Sequence, residues 1–361
     1  MQISKFTPIK LNNCYQHKNQ DRIHFGNSFE TATQLTRVLK DYIRIAEPPN
    51  TGTGIQTVCD CIGKRLQALI QKEQPIRIVM PAFPFKSPSP QKVLGRNADM
   101  AEFDCLRLFK ELLSKIGEVY APGAKMKIYS DGYPIAPIMH VDEAEVQAYS
   151  DRVMEFAVRN GLEGHFNMHS LKDTYNCRTI EDSLNSLMSD YGVSAERTRL
   201  DIIDNPDMRN DFCGIHRFVR EEQSVLHPEL SKSAIEKQSK AMAYEIVRFD
   251  SAWGKLIEQQ EPDALRISCH PQLPDSKKIG IRFSRNSNNW ITPWHSSAVR
   301  VDEDAFVLMK RKQAEDIGLA VVYDAKGQPS HFEIPATASS SERTSIREKI
   351  LEISPLNQNL I

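Results

Sequence analysis

The sequence predicts an α/β protein with a Rossmann-like, mostly parallel sheet, crossover helices, a helical insertion and a β-rich C-terminal portion. Three features of the apolar pattern support this fold class. Short β-branched runs alternate with amphipathic stretches in the first half, the region from about 178 to 260 has helical spacing almost throughout, and strand-like runs return afterwards. Strands that alternate with helices are usually joined by crossovers, which favours parallel pairing.

The first elements are predicted from apolar spacing and from end signals. Residues 1–28 are polar and aperiodic, so we expect an irregular lead-in there. Helices are predicted in "FETATQLTRVLKDYIRIAE" and "GIQTVCDCIGKRLQALIQK", and "PIRIVMPAF" is typical of a buried strand. Asp99, with Glu102 three residues later, predicts a capped start for the helix "DMAEFDCLRLFKELLSKIG".

The later elements continue this alternation and then change to strands. "KMKIYSDG" predicts the second strand, "DEAEVQAYSDRVMEFAVRNG" a helix closed by glycine, and "GHFNMHSL" the third strand. Further strands are predicted in "ALRISCHPQ", "KIGIRF", "WITPWHSSAV" and "LAVVYDAKGQPSHFEI". We expect a single α/β domain over 29–335 with the helical insertion at about 178–260, followed by a polar C-terminal tail over 336–361.

Composition and charge exclude several classes of protein. The 361 residues include 46 basic and 47 acidic side chains, so a sequence-independent nucleic-acid binder or a polybasic membrane protein is a poor expectation. No stretch approaches the roughly 18 apolar residues of a membrane helix, and the N-terminus lacks the layout of a signal peptide. Seven scattered cysteines favour reduced thiols, and we expect a cytoplasmic protein.

The loop "PAFPFKSPSPQKVLGRNADMAEF" leaves the first predicted strand and carries three cations, Lys86, Lys92 and Arg96. Its prolines restrict the backbone, and it leads to a helix start, where unpaired N–H groups favour anions. Phosphate is the natural ligand of such a loop, although an ordinary solvated connector explains the composition equally well. Neither a phosphate-binding P-loop motif nor a dinucleotide-binding glycine motif is present.

Candidate acid and base groups follow the predicted strands. Asp131 comes after the second strand, and His270, Arg282 and His295 lie on or beside later strands. Ligands of open α/β sheets bind beyond the carboxyl ends of the strands, and histidine titrates near neutral pH. Asp131 therefore suits a base or an amine-binding group, and the histidines suit proton transfer. The alternative interpretations are a simple Asp-Gly turn and hydrogen-bonded core histidines.

Metal binding is not expected. "HVD" at 140–142 matches half of an iron-binding pattern, but Asp142 is more simply the N-cap of the acidic helix that follows. His165 and His169 lie on one face of a predicted strand, too far apart to share one ion without further ligands.

Five separated motifs resemble one known family. "FPFKSPSPQKVLGRNADMAE", "PGAKMKIYSDGYPI", "RISCHPQ", "KKIGIRF" and "WITPWHSSAV" are similar to the isonitrile synthases of the pyoverdine/dityrosine biosynthesis family, over residues 55–300. The resemblance implies that the domain over 29–335 is catalytic. It implies conversion of the α-amino group of an amino acid, commonly tyrosine or tryptophan, to an isonitrile, with ribulose 5-phosphate as the one-carbon donor.

The resemblance also implies roles for the candidate residues and implies that no cofactor or metal is required. The expected catalytic residues are His295, His270, Asp131 and Lys86. The expected phosphosugar-binding residues are Lys86, Lys92, Arg96 and Arg282, and Phe85 and Trp294 are expected in the substrate pocket.

Two features leave the substrate and the partners open. "PWHSS" and "YPIAPIMHVDEAE" depart from the pattern of bacterial relatives, which leaves the amino-acid preference in doubt. The chain lacks the ligands of a fused oxygenase, so a separate Fe/2-oxoglutarate oxygenase is expected to process the product. The alternatives are an enzyme that formylates or otherwise acylates amino acids and a non-catalytic phosphosugar-binding protein.

Overall fold

The computed structural model describes residues 28–45, 54–177, 179–270, 272–273, 276–286 and 291–354. The irregular lead-in predicted for residues 1–28 lies outside the described residues, apart from Ser28, which begins the first helix. The proposed division of the chain into lead-in, catalytic domain and tail stays a prediction.

The elements up to the third strand alternate as predicted. They are α1 (Ser28–Lys40), α2 (Gly54–Ile70), β1 (Ile76–Pro81), α3 (Met100–Val119), β2 (Ala124–Tyr129), α4 (Gly132–Ile135), α5 (Glu143–Arg159) and β3 (Phe166–His169). The helix α1 is shorter than its apolar pattern suggested. Beyond Lys40 the backbone pairs with a later segment instead, since the N–H of Arg44 donates to the carbonyl of Gly280 over 2.8 Å.

The predicted helical insertion separates β3 from the fourth strand. It consists of the short α6 (Leu171–Tyr175) followed by α7 (Ile180–Tyr191), α8 (Ala195–Asp204), α9 (Pro206–Leu226) and α10 (Lys232–Gln260). All five of these helices begin at a Ser, Thr or Asn whose side chain accepts a backbone N–H of the first turn. No helix among the described residues is long and apolar enough to cross a membrane.

The strands β4 (Leu265–Ser268) and β5 (Ile279–Gly280) complete a five-stranded parallel sheet in the order β3-β2-β1-β4-β5. The chain builds outward from β1 to β3, returns through the insertion and adds β4 on the other side of β1. The strand order therefore reverses between β1 and β4, which is the point where open α/β sheets bind ligands. The predicted fold class is confirmed.

Alternate residues of β1 pack into the apolar cores on the two faces of the sheet. Ile76, Ile78 and Met80 join the large apolar cluster with α1, α2 and α3. Val79 points to the other face, where it packs in a cluster with Tyr129 and Trp253 of α10. This alternation follows from the two-residue period of a strand, and it explains why β1 reads as a continuous apolar run.

The predicted helix caps differ in how they are realised. At the start of α3 the N–H of Ala101 donates to Asp99 over 2.8 Å and the N–H of Asp99 donates to Glu102 over 2.9 Å, so the predicted cap is confirmed. Asp142 does occupy the N-cap position of α5, but its side chain makes no capping hydrogen bond.

The C-terminal portion forms a second, mixed sheet in the order β7-β6-β9-β8. Its elements are β6 (Ser297–Asp302), β7 (Ala305–Met309), α11 (Arg311–Asp316), β8 (Ala320–Tyr323), β9 (Pro329–Glu333) and α12 (Ser340–Ile353). Two predictions need correction here. The "WITPWHSSAV" segment is not one strand, because Pro293–His295 forms a 3₁₀ turn before β6, and β7 was not predicted at all.

Candidate active site

The candidate site lies at the carboxyl edge of the parallel sheet, around the β1/β4 reversal. The loop 82–99 leaves β1, Asp131 follows β2 by two residues, and His270 follows β4 by two residues. Parallel strands end at the same edge, so these three segments converge. The 3₁₀ turn that contains His295 joins them, since the N–H of Ser87 donates to the carbonyl of Trp294 over 2.8 Å.

The loop after β1 is buried rather than solvated, and Lys86 lies at its centre. The side chain of Lys86 is 0% exposed, and its Nζ lies 3.1 Å from Asp99 and 2.9 Å from Glu102. The same ammonium donates to the carbonyls of Pro293 and Ser296 over 3.0 and 3.3 Å. The two capping residues of α3 therefore also neutralise Lys86, which ties the loop to both the helix and the 3₁₀ turn.

Burial and charge act in opposite directions on this ion group. Burial opposes the charge of Lys86, but the two carboxylates outweigh it and raise the pKa of the ammonium. Burial, together with the neighbouring Glu102, raises the pKa of Asp99 to about 7 against the lowering effect of Lys86. Tyr149 donates to the other oxygen of Glu102 over 3.1 Å. Two carboxyls on one ammonium thus leave Asp99 as the group that holds a proton near neutral pH.

Lys92 is also buried, and its partners come from the insertion. Its Nζ lies 2.9 Å from Glu222 and 3.2 Å from Glu221, and it sits 4.6 Å from the centre of the Phe218 ring. Glu222, which is fully buried, accepts in addition from the hydroxyl of Ser87 over 2.6 Å and from the N–H of Ser89 over 3.1 Å. These contacts of Glu222 hold α9 against the loop.

The other two predicted phosphosugar-binding residues, Arg96 of the same loop and Arg282, have different surroundings. Arg96 is half-exposed and pairs with Glu145 of α5 over 2.7 Å. Arg282 lines a small cavity with Asp41, Tyr42 and Glu111. Lys86 and Lys92 are thus buried with carboxylate partners, whereas Arg96 of the same loop forms a half-exposed pair and Arg282 lies at a separate cavity. A shared phosphosugar role for the four stays a prediction.

His295 lies within a cationic environment. Its Nδ1 is 3.0 Å from the hydroxyl of Thr292, and its ring packs 4.4 Å from that of Phe218. Burial, followed by the charges of Lys92, His270 and Lys86, holds the pKa of His295 well below its usual value. The imidazole is therefore neutral at pH 7 and able to accept a proton.

Asp131 has a buried oxygen, Oδ1, that is inaccessible and has no hydrogen-bond partner among the described residues. Burial raises the pKa of this carboxyl to about 7, and the charge of His270 lowers it in part. The adjacent backbone is closely packed, because a side chain at Gly132 would lie 2.2 Å from the carbonyl oxygen of Pro84. The turn therefore holds Asp131 against the loop after β1.

Three charged residues of this region were not predicted from the sequence. Asp250 of α10 has a pKa raised to about 7, first by burial and then by Asp131, while His270 and Lys278 lower it and Asp211 raises it. Asp250, Asp211 and Lys278 therefore lie in the same charged region as Asp131 and His270. The uniform helical pattern of the insertion showed neither which face α9 and α10 present nor which strand end they cover.

The two predicted pocket residues are both buried. Phe85 packs in the apolar cluster with Tyr129 and Trp253. Trp294 packs with Phe83 and Phe283, with 5.3 Å between ring centres in each pair. Their contact with a substrate stays a prediction.

The chain resembles characterised proteins over most of its length. Residues 66–322 match the family model described as "Pyoverdine/dityrosine biosynthesis protein". Over 278 residues it is 36% identical to an L-tyrosine isonitrile synthase of Pseudomonas aeruginosa, covering 76% of this chain and 84% of the relative. It is 34% identical over 269 residues to an L-tryptophan isonitrile synthase of Fischerella ambigua, covering 74% and 81%. The crystal structure of PvcA from Pseudomonas aeruginosa superposes with a TM-score of 0.76 at 34% identity, covering 84% of this chain and 100% of that chain.

Proposed function

The chain belongs to the pyoverdine/dityrosine biosynthesis family and is an isonitrile synthase, and we propose that it acts on the α-amino group of L-tyrosine or L-tryptophan with ribulose 5-phosphate as the carbon donor. One observation within the molecule supports this reaction most directly. Asp131, His270 and His295 meet at the β1/β4 edge, and the pKa values of Asp131 and His295 are displaced in opposite directions. Asp131, with a pKa of about 7, is suited to proton transfer near pH 7, and the neutral imidazole of His295 offers a proton acceptor beside it.

The first proposed step is the formation of an imine. The substrate ammonium loses a proton to a carboxylate such as that of Asp131, and the free amine attacks the ketone of the phosphosugar, with loss of water. Phosphate loss and cleavage of the carbon–carbon bonds to the imine carbon then require further proton transfers. We assign these to His295 and His270, with Lys86 as a fixed positive charge.

Glu221 indicates where the phosphate group would bind. This carboxylate pairs with both Lys92 and Lys310, and its side chain is 44% exposed. A phosphate that displaced Glu221 would meet two lysines and the cationic surroundings of His295 without disturbing the buried pair of Lys92 and Glu222. Charge-assisted hydrogen bonds of this type are strong, which suits a phosphosugar ligand.

The activity is tested with purified protein, L-tyrosine or L-tryptophan, and ribulose 5-phosphate. We expect release of free phosphate and a product with the mass of the isonitrile. A product heavier by one water would instead indicate the formylating alternative, and binding of the phosphosugar without turnover would indicate a non-catalytic binding protein.

The variant His295→Ala tests the proton-transfer role. We expect turnover to fall by about 100-fold or more, because a positioned general base contributes at least that much. The dissociation constant for ribulose 5-phosphate, measured by calorimetry, is expected to stay close to that of the wild type. Full activity of His295→Ala would remove this residue from the mechanism.

The wider setting is also a proposal. An isonitrile released as a free product requires a further enzyme to use it, and we propose a separate Fe/2-oxoglutarate oxygenase. We place the protein in the cytoplasm, which is supported by the six free cysteines of the described residues.

A further inference from the structure

Helix α10 brings a carboxyl group to the end of β2. The ring of Trp253 packs 5.6 Å from that of Tyr129, the last residue of β2. Asp250 lies one helical turn before Trp253, and Asp131 lies two residues after Tyr129. Helix α10 also packs against α4, which begins directly after Asp131. The packing of α10 therefore sets Asp250 beside Asp131 at the carboxyl edge of the sheet.

One face of α9 extends from this carboxyl pair to the cationic loop. Asp211, Ile215, Phe218 and Glu222 are spaced by four, three and four residues, so they form a single stripe, which we call the α9 stripe. Phe218 contacts His295, and Glu222 binds the loop after β1. Asp211 lies seven residues before Phe218, about 10 Å along the helix. The stripe thus joins an acidic end to a basic end.

At the acidic end, one acceptor atom lacks a donor among the described residues. Asp250 lies in the fields of Asp131 and Asp211 as well as those of His270 and Lys278, and the nearby thiol of Cys269 has its pKa raised by burial and by Asp131 and Asp250. The buried Oδ1 of Asp131 has no hydrogen-bond partner among the described residues. Nor is any group of His, Cys, Asp and Glu within the described ranges arranged to hold a metal ion.

From this juxtaposition we propose that Asp250, together with Asp131 and assisted by Asp211, forms the subsite for the α-ammonium group of the amino-acid substrate. The inference rests on the proposed function and identifies one half of the same site. The ammonium supplies the donors and the positive charge that the acidic end requires. Before attack on the ketone, one substrate N–H bond breaks and its proton forms an O–H bond on the ionised member of the Asp131–Asp250 pair. In this arrangement the phosphosugar binds at the basic end of the α9 stripe.

The variant Asp250→Asn keeps the shape of the side chain and removes its charge. We expect KM for L-tyrosine and L-tryptophan to rise about tenfold or more, since a charge-assisted hydrogen bond is lost, while KM for ribulose 5-phosphate stays within about twofold. The limb of the pH profile of kcat/KM near pH 7 should also shift. Asp204→Asn, an exposed change in the same insertion, is the matched control and should leave both KM values unchanged.

Binding is measured separately by calorimetry with L-tyrosine and L-tryptophan alone. This separates the inference from the reaction, because a wild-type protein that binds an amino acid without forming an isonitrile would contradict the proposed function only. If Asp250→Asn does not fold, Asp211→Asn at its exposed position replaces it, with an expected loss of affinity of several-fold. The inference is overturned if the wild type binds neither amino acid, if the folded variant binds as the wild type does, or if only the affinity for the phosphosugar changes.

Discussion

Glu222 is a single buried carboxylate that organises most of the loop after β1. It accepts hydrogen bonds from Ser87 and Ser89 and forms an ion pair with Lys92. One carboxylate of α9 therefore holds both the loop and the basic side of the site in place. Removing one partner of a buried ion pair is costly because the other charge remains buried. Exposed pairs have little effect in comparison.

The variant Glu222→Gln is therefore expected to lower the free energy of unfolding by about 3–5 kcal/mol, since Lys92 keeps its charge and loses its buried partner. Glu221→Gln changes the neighbouring residue, which is 44% exposed, and should cost less than about 1 kcal/mol. Guanidinium unfolding of both variants measures the difference. Equal losses would show that Glu222 has no special role in holding the loop.

Asp99 and Glu102 show which residue properties are visible in the sequence. Their spacing alone predicted the cap of α3, because a capping box is local. Their ion pairs with Lys86 were not predictable, since the ammonium reaches them from a different segment. Likewise, the sequence identified the cations of the loop but not the carboxylates that neutralise two of them, which lie at the start of α3 and in α9.

At the scale of elements, the turn after β2 must fit closely against the loop after β1. Ser130 donates to the carbonyl of Phe83 over 3.1 Å, and Gly132 leaves no space for a side chain next to Pro84. The position of Asp131 therefore depends on this contact between two elements. It does not depend on a property of the Asp-Gly dipeptide alone.

The variant Gly132→Ala tests this contact. The added Cβ would lie 2.2 Å from a backbone oxygen and 2.8 Å from Val146, so we expect a loss of about 1–3 kcal/mol in unfolding free energy and reduced turnover. Gly117→Ala in α3 is the control, because nothing lies within 4 Å of its Cβ and alanine favours helix by about 0.5–1 kcal/mol. Thermal unfolding that moved both variants in the same direction would contradict the packing argument.

The errors in element prediction have local causes. The turn at 293–295 has a proline at its first position, which suits a helical turn, whereas the apolar residues around it predict a strand. The run that forms β7 is short and apolar, and periodicity alone does not distinguish such a run from a buried helix segment. The end of α1 was misplaced because pairing with the segment near β5 overrides helical spacing.

For the whole molecule, buried carboxyls make stability depend on pH. Burial raises the pKa of Asp99, Asp131 and Asp250 to about 7. Unfolded aspartate ionises near pH 4, so between these values the folded protein binds more protons than the unfolded chain. The free energy of unfolding therefore falls as pH rises towards 7, and the penalty is complete above it. His295 and His331 act in the opposite sense, because around pH 6.5 the unfolded histidines take up protons and the folded ones do not.

From pH 6.5 to 8 we expect the free energy of unfolding to fall by roughly 1.5 kcal/mol, since each of the three carboxyls lowers it by about 0.8 kcal/mol and each of the two histidines raises it by about 0.4 kcal/mol. Asp250→Asn should show about half of this decrease and Asp204→Asn all of it, measured by urea unfolding at each pH. Stability that is constant or rises over the interval would show that these carboxyls are already ionised in the folded protein.

The sequence by itself determined the fold class, the order of the main elements, the cap of α3 and the family. These properties depend on local periodicity, on end signals and on motifs that can be seen one segment at a time. Only the tertiary structure decided that Lys86 and Lys92 are neutralised inside the protein and that Asp250 and Asp211 join Asp131 and His270. The reason is physical: burial and charge pairing depend on contacts between residues far apart in the chain, and such contacts set both the pKa of a group and its freedom to bind a substrate.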